Sequence, residues 1–224
     1  MTSRVIYLHG FASGPGSQKA QLFLRRFAER GVPLEVPDLA AGDFEHLTVS
    51  GQLAVIESVA RGEAVSLMGS SLGGYLAALY AARHPEVARL VLMAPAFGFG
   101  RRFLESIAPA EAERWRETGS RAVFNYAARR EERLWWRLIE DALQFEEFPP
   151  APQPALLFHG RQDAQVPWQL SREFARLHPN ASLELFDDGH ELLDSVDRIW
   201  DAASAFLGLE LKADSLELTA DDEG

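Results

Sequence analysis

The strongest chemical signal in the chain is Gly69-Ser70-Ser71-Leu72-Gly73, a G-x-S-x-G sequence in which Ser71 holds the nucleophile position. Ala64 to Met68 before it suits a buried strand, and Gly74 to Tyr80 after it has the small, apolar residues of a packed helix. A strand running through such a turn into a helix lifts the serine hydroxyl clear of the backbone. Gly69 and Gly73 remove side chains that would crowd the turn. A serine hydroxyl is a poor nucleophile near neutral pH, so it needs a histidine to take its proton and a third group to orient that histidine.

With this kind of turn the partners follow in the order acid, then histidine, each in a loop after a later strand. Two loops qualify. The first is His159-Gly160-Arg161-Gln162-Asp163 after a strand at 155–158, and the second is Asp187-Asp188-Gly189-His190 after a strand at 182–186. Asp163 is therefore expected to be the acid and His190 the base. Asp187 and Asp188 are weaker candidates for the acid, because they lie too close to His190 in sequence for an easy side-chain approach. His9 and His159 each precede a glycine at a strand end, which fits a side chain that satisfies loop backbone. His46, His84 and His178 have no strand-end context and are read as solvated or packed. Acyl transfer also needs N–H donors aimed at the developing oxyanion. The backbone N–H groups of Leu72, next to the nucleophile, and Phe11, in the loop after the first strand, are expected to supply them.

These residues need a scaffold of strand ends. Val5 to Leu8 reads as a strand buried on both faces, and a Gly/Ser/Pro loop at 11–16 leads into a helix from Ser17 to Gly31. A short strand at 33–37, a helix at about 48–61, the Ser71 strand and helix, and a strand at 89–94 continue the alternation. Alternating strands and helices imply an α/β domain with a parallel sheet and right-handed crossovers. No convincing strand is expected between Phe97 and Phe148, where nine arginines and six glutamates over 101–137 accompany Trp115, Trp135 and Trp136. That stretch reads as an inserted helical cap, with the tryptophans in its core rather than in an acyl-pocket wall. Its arginines form either an anion-binding face or solvated faces paired with Glu105, Glu111, Glu113, Glu117, Glu131 and Glu132, the second being expected. A proline-rich connector at 149–154 returns the chain to the sheet, and a last helix is expected from about Glu191 to Phe206.

Taken together, Tyr7-Leu8-His9-Gly10-Phe11, the Ser71 turn, His159 to Pro167 and Asp188-Gly189-His190 resemble the α/β-hydrolase superfamily. The short first loop, the Ser13 to Lys19 segment and the small size are similar to compact bacterial YqiA-type esterases and their acyl-glucuronide esterase or thioesterase relatives. The resemblance implies an α/β-hydrolase fold, with a mostly parallel sheet, helices on both faces and a helical cap insertion. The core is then 1–96 and 149–210, the cap 97–148, and 211–224 an acidic tail. It further implies hydrolysis of carboxylic esters or thioesters through an acyl-enzyme without metal or organic cofactor. Ser71, Asp163 and His190 match the family's triad, and Phe11 and Leu72 match its oxyanion donors. The long cap, rich in arginine and tryptophan, departs from the smallest members.

Composition narrows the alternatives. The net charge of −11 argues against a nucleic-acid partner. Without cysteine there is no disulfide, thiolate metal site or cysteine nucleophile. No apolar run approaches a bilayer span, and no signal-peptide pattern opens the chain, so a cytoplasmic protein with a small-molecule ester or thioester substrate is expected. Three functions fit: an esterase for small to medium acyl chains, an acyl thioesterase with the same triad, and a non-catalytic ligand-binding module on the same scaffold. A peptidase would use the same triad chemistry but is less expected.

Overall fold

The computed structural model describes residues 4–209. The expected acidic tail at 211–224 lies outside the described residues.

Apolar strands that are buried along their whole length pair best in a sheet covered on both faces. Six strands form one parallel sheet, β1 (Arg4–Leu8), β2 (Leu34–Glu35), β3 (Val65–Ser70), β4 (Arg89–Met93), β7 (Ala155–Gly160) and β8 (Ala181–Phe186), and the inner four, β1, β3, β4 and β7, are buried along nearly their whole length while the edge strands β2 and β8 are partly exposed. Their order is β2-β1-β3-β4-β7-β8, so the chain reverses its direction of travel across the sheet between β1 and β3. In open α/β sheets the crevice at such a reversal, at the carboxyl ends of the strands, is where ligands bind. The loops after β1 and β3, which contain Phe11 and Ser71, both open there.

One face of the sheet is covered by α1 (Gln18–Glu29) and α8 (Val196–Leu207), through Phe23, Phe27, Ile199 and Trp200. The other is covered by α2 (Val49–Ala60), α3 (Leu72–Ala81) and α7 (Gln169–Leu177), through Ile56, Leu76 and Phe174. Local sequence sets these helices: the Ser17 hydroxyl accepts from Ala20 N–H at the start of α1, and Thr48 Oγ1 accepts from Gly51 N–H at the start of α2. Every residue of α3 is buried, which explains its run of Gly73, Gly74, Ala77, Ala78 and Ala81. A helix enclosed on all sides has room only for small side chains where it meets the sheet.

Gly73 shows the constraint most sharply. A Cβ there would lie 2.1 Å from the Leu8 carbonyl oxygen, a backbone atom that cannot step aside. Gly73→Ala is expected to cost about 3 kcal/mol or more, whereas Gly16→Ala, whose Cβ would meet nothing within 4 Å, should be near neutral. Urea unfolding of the two variants checks the contrast.

Between β4 and β7 the chain forms α4 (Phe99–Glu105), α5 (Pro109–Thr118), β5 (Ser120–Asn125), β6 (Arg130–Trp135) and α6 (Arg137–Ala142). The expectation of an all-helical segment is corrected here, because β5 and β6 make an antiparallel hairpin pairing Ser120 with Trp135 through Asn125 with Arg130. Charge obscured it: Arg130-Glu131-Glu132-Arg133 has low strand propensity, and along β6 only Leu134 is buried, with Glu132 half-buried and the rest exposed. The turn is built by Asn125, whose Oδ1 accepts from Ala127 and Ala128 N–H. Trp115 is buried as expected, with Nε1 donating to the Leu134 carbonyl and its ring edge-on to Trp136. Trp135 instead lies at the surface, stacked on His46.

Two helices also differ from expectation. Residues 169–177 form α7, for which no helix was anticipated. The last helix begins at Val196 rather than near Glu191, because Leu192 adopts a left-handed φ of 55° that no helix admits. Residues 191–195 are loop as a result. That loop carries the chain from His190 to the sheet-covering helix.

Candidate active site

Ser71 sits between β3 and α3 with φ 55° and ψ −121°, a conformation that a side chain bearing a Cβ adopts only when its surroundings enforce it. Four backbone hydrogen bonds enforce it. Ser71 N–H donates to Met93 O, and Ser71 O accepts from Gly74, Tyr75 and Ala96 N–H. The glycines at 69 and 73 are also required, since a Cβ on Gly69 would lie 2.3 Å from Gly73 O.

The loop after β1 passes directly over the serine: a Cβ on Gly10 would come within 3.3 Å of Ser71 Cβ and 3.9 Å of its Oγ. Phe11 anchors this loop, its ring packed against Phe44, Phe99 and Phe103. His9 holds the loop from beneath, through Nδ1–H to Gly10 O, while its Nε2 accepts from Leu39 N–H. Burial pushes its pKa down, which suits a neutral ring that both donates and accepts. Leu72 opens α3, so its N–H belongs to the first turn and has no partner within the helix.

Asp163 and His190 come together across β7 and β8. His190 Nδ1 lies 2.7 Å from Asp163 Oδ2, and both side chains are closed off from solvent. The same oxygen accepts from His159 Nε2 at 3.0 Å, and Oδ1 accepts from the N–H groups of Gln165 and Val166. Burial by itself would raise the carboxyl. The hydrogen bonds from His159, His190 and Val166 outweigh it and hold Asp163 far below the ordinary carboxylate range. An ionised acid fixes the ring of His190 with Nδ1–H toward Asp163 and Nε2 free for another proton.

Asp188, the weaker candidate for the acid, is engaged elsewhere. Its carboxylate accepts from Gly189 and Ser195 N–H and so shapes the His190 loop. Asp187 is exposed. Among the other histidines, His46 pairs with Asp43, His84 stacks on Tyr80, and His178 donates from Nδ1 to Phe174 O.

Ser71, His190, Phe11 and Gly10 line one cavity of about 700 Å³. Its far wall is the hairpin, through Val123, Phe124 and Tyr126, and Tyr126 N–H donates to Ala12 O so that the hairpin docks on the first loop. No tryptophan lines it. The cap arginines do not reach it either: Arg101 pairs with Glu147, Arg116 with Glu113, Arg121 with Glu111 and Arg130 with Glu132.

Two buried groups do more than the sequence indicates. His159 is fully buried behind Asp163, its Nδ1 accepting from the Ser171 hydroxyl and its Nε2–H shared between Asp163 and Val166 O. It was expected to serve loop backbone, and it also serves the carboxylate. His159→Ala would strip partners from three buried polar groups and leave a void, a loss on the order of 3 kcal/mol measurable by urea unfolding. The second group is Lys19, whose ammonium is buried in the cavity wall. Among the described residues no cluster of His, Cys, Asp or Glu is arranged to hold a metal ion, and no helix is long and apolar enough to cross a membrane.

A parallel sheet with a strained serine between strand and helix, and an acid and a histidine after later strands, defines the α/β-hydrolase fold. Solved structures of that fold are similar throughout. The mouse α/β hydrolase domain-containing protein 10 is 20% identical over 93% of this chain and 90% of its own, with a TM-score of 0.78. Est1E from Butyrivibrio proteoclasticus is 19% identical over 92% and 86%, at 0.73. Monoacylglycerol lipase from Paleococcus ferrophilus is 16% identical over 92% and 94%, at 0.71. Residues 4–208 match the model of the family described as Uncharacterised protein family (UPF0227), and the chain belongs to that family. No curated protein sequence matches it.

Proposed function

We propose that this protein is a serine hydrolase that cleaves carboxylic esters of small to medium acyl chains. The observation that carries the reading is the Asp163–His190 hydrogen bond facing the same cavity as the strained Ser71.

In the proposed mechanism His190 Nε2 takes the Ser71 Oγ proton as the oxygen attacks the ester carbonyl. The tetrahedral oxyanion accepts from the N–H groups of Leu72 and Phe11. His190, now an imidazolium stabilised by Asp163, gives its proton to the departing alkoxide, and the alcohol leaves an acyl group on Ser71. Water then repeats the sequence: His190 takes a water proton, hydroxide attacks the acyl carbonyl, and the proton returns to Ser71 as the carboxylic acid departs.

The residues between β4 and β7 act as the cap in this reading, and the hairpin is the part of it that meets substrate. Val123 and Phe124 supply apolar wall, and Tyr126, 70% exposed, stands at the mouth. A cavity of about 700 Å³ falls within the usual range for small-molecule sites and suits a short or medium acyl group.

Turnover of p-nitrophenyl esters from acetate to palmitate, run beside acyl-CoA thioesters, tests the proposal. A chain-length optimum among the short and medium esters supports it. Faster turnover of the thioesters would assign a thioesterase, and ligand binding without turnover of any substrate would assign a binding module.

A further inference from the structure

Lys19 has no part in the chemistry proposed above, yet it lies in the same cavity wall as Ser71 and His190. It is 6% exposed, an unusual position for a lysine unless its charge is paired. Its Nζ donates to Ser70 Oγ at 2.9 Å and stands 3.4 Å from Glu191 Oε2. An ammonium carries three N–H donors. Among the described residues Ser70 and Glu191 are its acceptors, so one donor remains for a ligand.

The partner acid is loosely held. The Glu191 side chain is 65% exposed and can swing into water at little cost, so a second carboxylate can take its place. Burial lowers the lysine pKa, while Glu191, Asp188 and Asp163 oppose that fall, and an incoming anion would act in the same direction as they do.

The backbone around Lys19 favours the same ligand charge. Ser17 and Gln18 line the cavity at the N-terminal turn of α1, a helix of 12 residues with no acidic side chain in its first turn. The Ser17 hydroxyl is taken by Ala20 N–H, so the N–H groups of Gln18 and Lys19 keep the positive end of the helix directed outward.

We infer that Lys19 and the first turn of α1 form an anion subsite beside Ser71, and that the preferred ester carries a carboxylate which displaces Glu191 from the ammonium. The substrate part of this inference rests on the hydrolase reading. The subsite itself does not.

The test measures kcat/KM for charged and neutral esters as a ratio. One arm puts the carboxylate on the acyl side, mono-p-nitrophenyl glutarate against p-nitrophenyl valerate. The other puts it on the alcohol side, 4-acetoxybenzoate against its methyl ester. Lys19→Met is expected to lower the charged-to-neutral ratio roughly tenfold or more in whichever arm matches the substrate. Glu191→Gln, a change at an exposed side chain that leaves the fold intact, is expected to raise it about threefold or more by removing the competing acid. Unchanged ratios in both arms would overturn the subsite while leaving the esterase standing, and Glu191→Gln alone decides if Lys19→Met does not fold.

Should no ester be turned over, the hydrolase reading has failed and calorimetry with monomethyl glutarate decides the subsite. Binding that tightens in Glu191→Gln supports it, and absence of binding to both wild type and Glu191→Gln overturns it.

Discussion

Ser71→Ala is expected to lower kcat for ester hydrolysis by roughly 10⁴- to 10⁶-fold, leaving only what the cavity and the backbone N–H groups contribute. The substitution removes one oxygen and little else. The four hydrogen bonds that hold the Ser71 backbone come from main-chain atoms, so the turn survives, and alanine tolerates φ 55° about as poorly as serine does. Unfolding in urea should therefore shift by less than about 1 kcal/mol. A large loss of rate with an intact fold separates a role in the chemistry from a role in holding the turn. Retention of wild-type kcat in the purified variant would contradict the proposed nucleophile.

Asp163→Asn is expected to lower kcat roughly 10³- to 10⁴-fold for a different reason. An amide of nearly the same shape presents one oxygen where the carboxylate offered two. Its Oδ1 can still accept from the Gln165 and Val166 N–H groups, but its NH₂ then faces His190 and His159, both of which were donating to Oδ2. His190 must turn its Nδ1 lone pair toward the amide, which places its proton on Nε2, the atom that should receive the proton of Ser71. The imidazolium that forms in the reaction also loses its counter-charge.

The same residue predicts a stability difference with a definite sign. Asp163 has a folded pKa below its unfolded value, so its contribution is fully present above the unfolded value near 4 and is lost as pH falls below it. Urea midpoints of wild type and Asp163→Asn should be well separated at pH 7, and the gap should narrow progressively as pH falls below about 4 towards the folded pKa.

What could be read in advance depended on how local the determinant was. The Ser71 turn was legible because its requirements are written in adjacent residues: a strand, two glycines, and a helix of small side chains. The gap between Gly73 and Leu8 O accounts for that composition. Asp163 and His190 were legible through their place after β7 and β8, although their 2.7 Å approach depends on strand pairing across 27 residues of chain. The hairpin was not legible. β6 is charged on its solvent side, β5 exposes only Ala122 and Phe124, and docking of the hairpin through Tyr126 N–H to Ala12 O joins segments more than a hundred residues apart. The burial of Lys19 and the bond from His159 to Asp163 were not legible for a related reason. Nothing in a lysine near a helix start, or in a histidine before a glycine, announces that its polar atoms end buried against Ser70 or Asp163. The pairing of the inserted segment's arginines as surface charge was legible because their glutamate partners lie close in sequence, as for Arg116 with Glu113 and Arg130 with Glu132, or on the preceding helix, as for Arg121 with Glu111.

The central claim is that Ser71 is an activated nucleophile, and covalent labelling with a fluorophosphonate tests it most directly. Folded protein at neutral pH is expected to gain the mass of one phosphonate on the peptide containing Ser71, at a rate that collapses in Asp163→Asn and with no adduct in Ser71→Ala. Folded protein that stays unlabelled, or that carries the adduct on Ser70 or another residue instead, would contradict it.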